Sequence, residues 1–379
     1  MIKKKYTLVI DASRNRSGGS IVYIINFIKN LNLQSTKIEK VILFSYKDLL
    51  KKIPNRSFLI KYSHPFLEKN ILFKIFWQMI CLPNFLRKND NNILFTTDAT
   101  SFCKYKPSIV FNQDILGFDK EVLKQIPFGL FKIRVYLIKL VQIFAMNNAS
   151  KVIFLSKFSK KVISSYLRKN LDYKIIYHGI DEKLLKLGQK KISELQWDYK
   201  KKDKIQLIYV SPLDSYKNHL TVAKAYSRLK KKYTNLEIKF VGSYKHNIKL
   251  YNNIISDVSL VTQKNFVGDV SHKKVLNYIY NSDIYIFASS SETFGISLVE
   301  GMALGLPIVC SNKSSLPEIL KEGGIYFDPN NDYQLAYQIE KFIKNKNFRK
   351  IKSKRALNLS SRFRWDYNVK QFCNLVNEL

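Results

Sequence analysis

Short apolar runs alternate along the chain with longer segments whose apolar residues recur at helical spacing. The first pair is the strand candidate KKYTLVIDAS and the helix candidate IVYIINFIKNL, joined by the polar loop RNRSGG. A strand followed by an amphipathic helix is the unit from which parallel sheets are built. Further strand candidates of this half, all rich in β-branched or aromatic residues, are VILFSY (41–46), NILFTT (92–97), SIVFNQD (108–114), KVIFLS (151–156) and KIIYHG (174–179).

A second series of the same kind follows, with the strand candidates IQLIYVS, EIKFVG, NFVG, DIYIFAS and LPIVCS. Between the two series the charged stretch ELQWDYKKKDK (194–204) loses apolar periodicity, which indicates a linker. The chain has 379 residues, enough for two cores. We therefore predict an α/β fold of two Rossmann-like parallel-sheet domains, over residues 1–195 and 203–362, that face an interdomain cleft. A last amphipathic helix is predicted over 363–379.

Cysteine and histidine usage indicates neither a disulfide framework nor a metal site. The cysteines lack CxxC spacing and the histidines lack ligand spacing, so we predict no metal and a reducing compartment. The N-terminus passes directly into a strand pattern, unlike a signal peptide. The most apolar uncharged stretch, Ile75 to Leu86, is shorter than the roughly 20 residues that cross a bilayer. We expect a soluble, cytoplasmic chain.

The net charge is +35, with 36 Lys and Arg against 14 acids in residues 1–200 and 28 against 15 afterwards. Such an excess favours polyanionic surroundings, either an anionic membrane face or nucleic acid. Alternatively, abundant Lys, Asn, Ile and Tyr reflect an AT-rich coding bias, and the lysines only solvate the surface. The chain has no RNA-type aromatic motif, zinc finger or basic zipper, so we do not expect a nucleic-acid partner.

The segment SETFGISLVEGMALGLP carries the most specific chemistry. We predict that Glu292 lies in the loop after a buried strand and Glu300 about two turns into the helix Ile296 to Leu304. Gly295 allows close approach of a ligand, and the unsatisfied amides of the helix start attract a diphosphate. A carboxylate in such a helix accepts hydrogen bonds from a ribose diol. Alternatively, the acids only complement the helix dipole, in an ordinary glycine-containing βα loop.

The wider stretch from Asn265 to Pro329 closely resembles the donor-binding half of glycosyltransferase family 4, a family of retaining enzymes of GT-B fold that use nucleotide sugars. The features that carry the resemblance are the E-x7-E pair Glu292 and Glu300, Phe294-Gly295, the turn Gly305 to Pro307, Leu316-Pro317-Glu318 and Phe327-Asp328-Pro329. Weaker similarity covers nearly the whole chain. The sequence motifs YKNH and SSLPEI are most similar to those of mannosyl- or rhamnosyl-transferring relatives.

The resemblance implies a donor site in the second domain. Glu292 would hold donor-sugar hydroxyls and Glu300 the ribose, while Lys217 would neutralise the departing diphosphate. Further donor contacts are expected from Phe294, Gly295, Ile296 and the backbone at Val267. Relatives commonly carry an arginine five residues before the lysine, where this chain has Pro212. Either the lysine and the helix dipoles suffice for the phosphates, or another cation takes the place of the arginine.

The resemblance also implies contacts from the first domain, onto which the helix 363–379 would cross back. Gly18 and Gly19 leave bare amides at the start of the first helix, where a phosphate or a sugar hydroxyl could approach. Many relatives have a histidine where this chain has Gln113. Gln113 could hydrogen-bond a sugar hydroxyl and Asp114 could orient the acceptor hydroxyl. Alternatively, the two residues form only an Asx-type turn at a strand end.

The function implied is retaining transfer of a hexose from a nucleoside-diphosphate sugar to a hydroxyl of a growing glycan. The setting implied is bacterial lipopolysaccharide O-antigen or capsule synthesis, with a lipid-linked acceptor and peripheral contact with an anionic membrane at its inner face. No cofactor or metal is expected. Two alternatives remain. One is a basic, non-catalytic protein that binds nucleic acid or membranes, and the other is a sugar phosphorylase or sugar-phosphate synthase of the same fold.

Overall fold

The computed structural model describes residues 5–16, 18–34, 36–194, 199 and 203–379. These residues form two compact units, the first of residues 5–123, 127–179 and 364–379, and the second of residues 124–126 and 180–363. Most of the predicted linker, residues 195–198 and 200–202, lies outside the described residues. Each unit has its own parallel sheet, as the alternation of strand and helix patterns predicts.

The first unit contains a seven-stranded parallel sheet in the order β3-β2-β1-β4-β5-β6-β7. The edge strand β3 was not predicted because it is a run of four residues that are half-buried or exposed. The other edge strand, β7, begins two residues before its predicted start. The strands are β1 (Tyr6–Asp11), β2 (Ile38–Phe44), β3 (Leu59–Tyr62), β4 (Asn92–Thr96), β5 (Ser108–Asn112), β6 (Lys151–Phe154) and β7 (Asp172–Ile175).

The helices that precede β7 are α1 (Gly18–Asn30), α2 (Lys47–Lys52), α3 (Pro65–Glu68), α4 (Ile71–Phe76), α5 (Leu82–Leu86), α6 (Lys120–Gln125), α7 (Leu130–Asn148) and α8 (Lys157–Ser164). The apolar residues of FLEKNILFKIFWQMICLP predict a helix over residues 66–83, but the segment does not form a single helix. Lys69 is extended, and the Asn70 side chain caps α4 by accepting hydrogen bonds from the amides of Leu72 and Phe73. A π-helical turn, Trp77–Cys81, then joins α4 to α5.

The second unit contains a six-stranded parallel sheet in the order β10-β9-β8-β11-β12-β13. Its strands are β8 (Ile205–Val210), β9 (Leu236–Val241), β10 (Phe266–Gly268), β11 (Ile284–Phe287), β12 (Ile308–Ser311) and β13 (Ile325–Phe327). Its helices are α9 (Glu182–Glu194), α10 (His219–Lys230), α11 (Ile248–Asp257), α12 (His272–Tyr280), α13 (Ile296–Ala303), α14 (Leu316–Leu320), α15 (Asp332–Lys344) and α16 (Lys346–Ser360). The core of this unit joins strand residues such as Leu207 and Ile286 to Val222 of α10 and Ile339 of α15.

Two segments near the unit boundaries show how the chain is divided. Helix α9 belongs to the second unit, although the first domain was expected to extend to residue 195, because α9 packs against α13 and α16. Its Gly188 lies so close to the Ala303 carbonyl that no side chain would fit. The last helix, α17 (Trp365–Asn377), belongs to the first unit, where the Phe372 ring packs on Phe27 and Phe95 at centroid distances of 4.9 and 4.6 Å. Within the described ranges, no helix is both long and apolar enough to cross a membrane.

In each sheet the direction of strand succession reverses once. In the first unit the reversal lies between β1 and β4, and in the second unit it lies between β8 and β11. The loops at the carboxyl ends of the two strands diverge at such a point and leave a crevice, which is where open α/β sheets bind ligands. The loop after β8 contains Lys217 and the loop after β11 contains Glu292. The topology therefore places these two predicted site residues beside one crevice.

Candidate functional site

Direct hydrogen bonds hold together the loops that follow β8 and β11. The Ser290 amide donates to the Tyr216 carbonyl at 2.8 Å. The Asn218 side chain donates to the Ala288 carbonyl at 2.7 Å and to Ser290 Oγ at 2.8 Å. Asn218 has a left-handed backbone, with φ of 55°, a conformation that asparagine tolerates better than most residues. These contacts fix Lys217, which lies between Tyr216 and Asn218, against the β11 loop.

Lys217 and Glu292 form an ion pair in which Nζ and Oε1 lie 2.6 Å apart. The two side chains are only 12% and 17% exposed, so solvent screens the pair weakly. Burial alone would lower the pKa of Lys217, but the Glu292 carboxylate outweighs it and raises that pKa to about 12. The lysine is therefore cationic at neutral pH. An ammonium has three N–H groups, so one bond to Glu292 does not exhaust its donors.

Gly295 and helix α13 form the next part of the site. Gly295 is the N-cap of α13 and has φ of +86°, in the left-handed region that favours glycine. A Cβ atom here would also lie 3.2 Å from Leu316 Cδ2. The helix begins at Ile296 without an acidic residue in its first turn or a side-chain cap at Gly295, so its first amides and positive dipole end suit an anion.

Phe294 occupies a different environment from its neighbours in the loop. Its side chain is buried, and its ring packs edge-to-face on Phe363 with centroids 5.2 Å apart. The Ser315 hydroxyl donates to the Glu292 carbonyl at 3.0 Å, which joins the β11 loop to the loop after β12. Phe294 therefore anchors the loop, and it could contact a ligand only through its backbone.

Glu300 is buried and pairs with a residue that the sequence did not single out. It is the fifth residue of α13, little more than one turn from the start rather than two. Its Oε1 lies 2.6 Å from Nε2 of His272, the first residue of α12, which follows β10. This hydrogen bond raises the pKa of His272 against the opposing effect of burial. Val267, in β10, is half-buried five residues before this histidine.

His272 gives the pair a pH dependence that can be measured. A histidine pKa that is raised by folding contributes stability that is fully present below its ordinary value of 6.5 and is lost as the pH rises through the raised value. We expect the Tm advantage of the unmodified chain over His272→Gln to decrease as the pH increases above 6.5. Thermal unfolding of both proteins from about pH 6 to pH 9 measures this difference. Parallel Tm profiles would show that Glu300 and His272 do not interact in solution.

The predicted site residues of the first unit lie around three loops that contact one another. Gly18 is the first residue of α1, with φ of +52°, and a Cβ atom added there would meet nothing within 4 Å. Asn15, in the same loop, donates to the Ser20 carbonyl at 3.0 Å and accepts from the Thr97 hydroxyl at 2.9 Å. Gln113 Nε2 donates to the Thr97 carbonyl at 2.5 Å. The structure therefore brings Gln113 close to the loop that contains Gly18 and Gly19.

Asp114 has a local structural role. Its Oδ1 accepts from the Leu116 amide at 2.9 Å, and its carbonyl accepts from Asn112 Nδ2 at 3.0 Å. This is the Asx-type turn that the sequence offered as an alternative to a role in acceptor binding.

The arrangement in the second unit suits a ligand that combines negative charge with hydroxyl groups. Lys217 and the α13 amides supply positive charge, while the Glu292 and Glu300 carboxylates accept hydrogen bonds from hydroxyls. Over the described part of the chain, no group of three or more His, Cys, Asp and Glu side chains is arranged to hold a metal ion. The chemistry that these residues can perform is therefore the binding of a diphosphate and the hydroxyls attached to it.

Similar proteins are found in comparisons of the sequence and of the fold. Residues 191–358 match the family described as "Glycosyl transferases group 1". The chain is 30% identical over 239 residues to the uncharacterized glycosyltransferase MJ1069 of Methanocaldococcus jannaschii, which covers 62% of this chain and 59% of the relative. It is 32% identical over 100 residues to O-antigen chain mannosyltransferase B of Escherichia coli, 26% of each protein. These alignments span less than two thirds of the relatives' length.

Solved structures share the fold over nearly the whole chain. Sucrose-phosphate synthase of Thermosynechococcus elongatus superposes with a TM-score of 0.76 at 17% identity and covers 99% of both chains. HepE of Anabaena, solved in complex with UDP and glucose, superposes with a TM-score of 0.72 at 18% identity and covers 98% of this chain and 99% of its own. Both parallel-sheet units thus follow the GT-B fold, and residues 191–358 match the model of the glycosyl transferases group 1 family.

Proposed function

We propose that this chain is a retaining glycosyltransferase that transfers a hexose from a nucleoside-diphosphate sugar to a hydroxyl of a growing glycan. The observation that supports this most strongly is the Lys217–Glu292 pair, 2.6 Å long and shielded from solvent, at the point where strand succession reverses. A cation is costly to bury unless it is paired or binds an anion. Helix α13 begins four residues after Glu292, and its first amides fit the same diphosphate.

In this proposal each residue of the second unit has a distinct role. Lys217 and the first amides of α13 stabilise the negative charge that develops on the departing diphosphate. Glu292 holds Lys217 in place and accepts hydrogen bonds from donor-sugar hydroxyls. Glu300 accepts from the ribose, and the backbone near Val267 meets the base. Lysine and amide dipoles take the role that a metal ion plays in other diphosphate sites, so we propose that no metal is required.

The first unit supplies the acceptor side in the same proposal. Gly18 and Gly19 present amides at the start of α1, and Gln113 offers a hydrogen bond to a sugar hydroxyl. The Asp114 carboxylate orients the attacking hydroxyl. We propose a lipid-linked glycan as the acceptor and cell-surface polysaccharide synthesis as the setting, as the O-antigen mannosyltransferase relative suggests. The enzyme would then work in the cytoplasm, at the inner face of the membrane.

A donor panel tests the proposal. The purified chain is incubated with guanosine, uridine, thymidine and adenosine diphosphate sugars and an acceptor glycan, in buffer with EDTA, and the released nucleoside diphosphate is measured. We expect one class of donor to be turned over, with NMR of the product showing the anomeric configuration of the donor. Inversion of that configuration would contradict the retaining assignment, and turnover abolished by EDTA would contradict a metal-free site.

The same panel separates this function from its alternatives. Release of nucleoside diphosphate only when a sugar phosphate is the acceptor would indicate a sugar-phosphate synthase. Absence of nucleotide-sugar binding, combined with a salt-dependent affinity for nucleic acid, would indicate a basic binding protein instead.

A further inference from the structure

Helices α4 and α5 and the π-helical turn between them expose an unusual number of large apolar side chains. The inward side of this segment is buried through Trp77 and Leu82, which pack against Val9 and Leu94 of the sheet. The outward side exposes Leu72 at 69%, a fraction that leaves most of its surface in water. The other large apolar residues exposed on this segment are Ile71, Phe73, Phe76, Met79 and Ile80.

Helix α7 also combines buried apolar residues with exposed ones. Its second half is buried through residues such as Ala145 and Met146. Its first half exposes Phe128 at 87% and Leu130 at 88%, the first of these just before the helix. The exposed apolar residues Leu130, Ile133, Leu137 and Leu140 recur at helical spacing and form one stripe.

The two exposed apolar surfaces lie on the same side of the first sheet. The connections from β3 to β4 and from β5 to β6 both progress in one direction along the strand order, so right-handed crossovers place α4, α5 and α7 on one face. Phe102 joins them, since its amide donates to Gln78 Oε1 at 3.5 Å and its ring lies 6.2 Å from that of Phe144 in α7. We call the exposed sides of residues 71–80 and 128–140 the apolar face.

Positive charge surrounds the apolar face, and negative charge is absent from its segments. Residues 69–88 contain Lys69, Lys74, Arg87 and Lys88, and residues 128–140 contain Lys132, Arg134 and Lys139, with no Asp or Glu in either segment. Lysines and arginines that flank apolar residues in this way are typical of helices that lie in the interface of an anionic membrane.

A concentrated cation group lies at one end of the apolar face. Gln78, one turn after Lys74, donates to Asp11 Oδ2 at 2.8 Å, which brings α4 close to the loop containing Arg14 and Arg16. Burial, followed by the charges of Arg16 and Arg14, lowers the pKa of Lys74, and the nearby Glu68 carboxylate only partly opposes this change. Arg14 Nη1 is buried and has no hydrogen-bond partner among the described residues. Phosphate groups would offset the repulsion among these cations.

We propose that the apolar face docks on the surface of an anionic phospholipid bilayer, with its leucine and phenylalanine side chains among the acyl chains and its lysines and arginines at the lipid phosphates. Many large apolar side chains exposed on one side of a sheet, with cations beside them, mark an interaction site rather than an ordinary solvent face. A second copy of this chain fits it poorly, because two strongly basic surfaces would then meet. Nucleic acid fits poorly too, because its charged backbone would not bury so many aliphatic side chains.

The test is sedimentation of the full chain with vesicles of phosphatidylcholine alone or mixed with phosphatidylglycerol. We expect binding to the mixed vesicles, little binding to phosphatidylcholine alone, and weakening with added salt. The double variant Leu130→Ser/Leu137→Ser should bind the mixed vesicles at least about tenfold more weakly, since it removes two apolar side chains that would be buried among the acyl chains. The matched control is Tyr333→Ser/Tyr337→Ser, which removes two exposed aromatic residues from α15 of the second unit and should bind as the unmodified chain does.

Several outcomes overturn the proposal. They are equal binding to both kinds of vesicle, an unchanged affinity of the leucine variant, and a concentration-dependent dimer in light scattering that the leucine variant abolishes. Tm and nucleotide affinity of each variant verify the fold of both units independently of vesicle binding. These measurements do not depend on turnover, so failure of the membrane proposal leaves the proposed transferase function untouched.

Discussion

Lys217→Ala is expected to lower kcat by about 10²- to 10³-fold, the range measured when one preorganised charge-stabilising donor is removed from an active site. The physical reason is that the lysine acts where negative charge develops, on the leaving diphosphate, more than in the ground state. KM for the donor should change much less than kcat. The measurement is the rate of nucleoside diphosphate release with the donor identified by the panel. The substitution also leaves the Glu292 carboxylate without its cation, which adds to the loss of activity.

Two companion variants show whether the effect belongs to Lys217 itself. Lys224→Ala removes an exposed lysine from α10, the helix that follows Lys217, and should leave kcat unchanged. Lys217→Arg keeps the charge and should recover part of the activity. A Lys217→Ala protein with unmodified kcat would show that another cation stabilises the diphosphate, a particular concern because Pro212 stands where relatives commonly have an arginine.

Glu300→Ala is expected to weaken nucleotide binding by about 10- to 100-fold, which corresponds to the 1.5–3 kcal/mol of a hydrogen bond to a charged group. The effect should appear with the nucleoside diphosphate alone as well as with the nucleotide sugar, because the ribose is common to both. Isothermal titration calorimetry of the unmodified chain and the variant measures it directly. Loss of the bond to His272 should also lower the Tm slightly.

The controls for Glu300 separate ligand binding from stability. His272→Gln removes the partner of Glu300 but keeps the carboxylate, so nucleotide affinity should change little. Glu322→Ala, at an exposed position of the same unit, should change neither affinity nor Tm. An unchanged affinity in Glu300→Ala would remove this residue from the donor site.

The sequence predicted the order and type of most elements because buried parallel strands are short apolar runs between amphipathic helices. The prediction was wrong for strands at the exposed sheet edges and for a helix start that is set by a capping side chain. Strand β3 carries little apolar signal at the sheet edge. Strand β7 begins at the exposed Asp172, two residues before its predicted start, and ends at Ile175 rather than at residue 179. The helix predicted over residues 66–83 is interrupted because Asn70 caps a new helix, a choice that apolar periodicity does not show.

The candidate site could be predicted in part. Glu292 and Lys217 were identified as residues that follow strands, but they lie 75 residues apart in sequence. Their direct contact requires β8 and β11 to be neighbouring strands in the sheet. That neighbourhood is a property of strand order, which apolar patterns do not specify. His272 was missed for a similar reason: it lies 28 residues from Glu300, and it carries no local signal except its place at the start of a helix after DVS.

Phe294 illustrates a different limit. The motif selected the loop after β11 as part of the predicted donor site, but a motif does not indicate which side chains face a ligand. In the structure the Phe294 ring packs on Phe363, and this contact anchors the loop. The adjacent Gly295 has the positive φ that explains why a glycine stands at this position.

The central claim is that the diphosphate of a sugar nucleotide binds between Lys217 and the first turn of α13. A crystal structure of the chain with the donor that it turns over tests this most directly. We expect density for the diphosphate within hydrogen-bond distance of Lys217 Nζ and the amides that follow Gly295, with the ribose at Glu300. A nucleotide bound elsewhere, with the Lys217–Glu292 pair and the α13 amides free of ligand, would contradict the account.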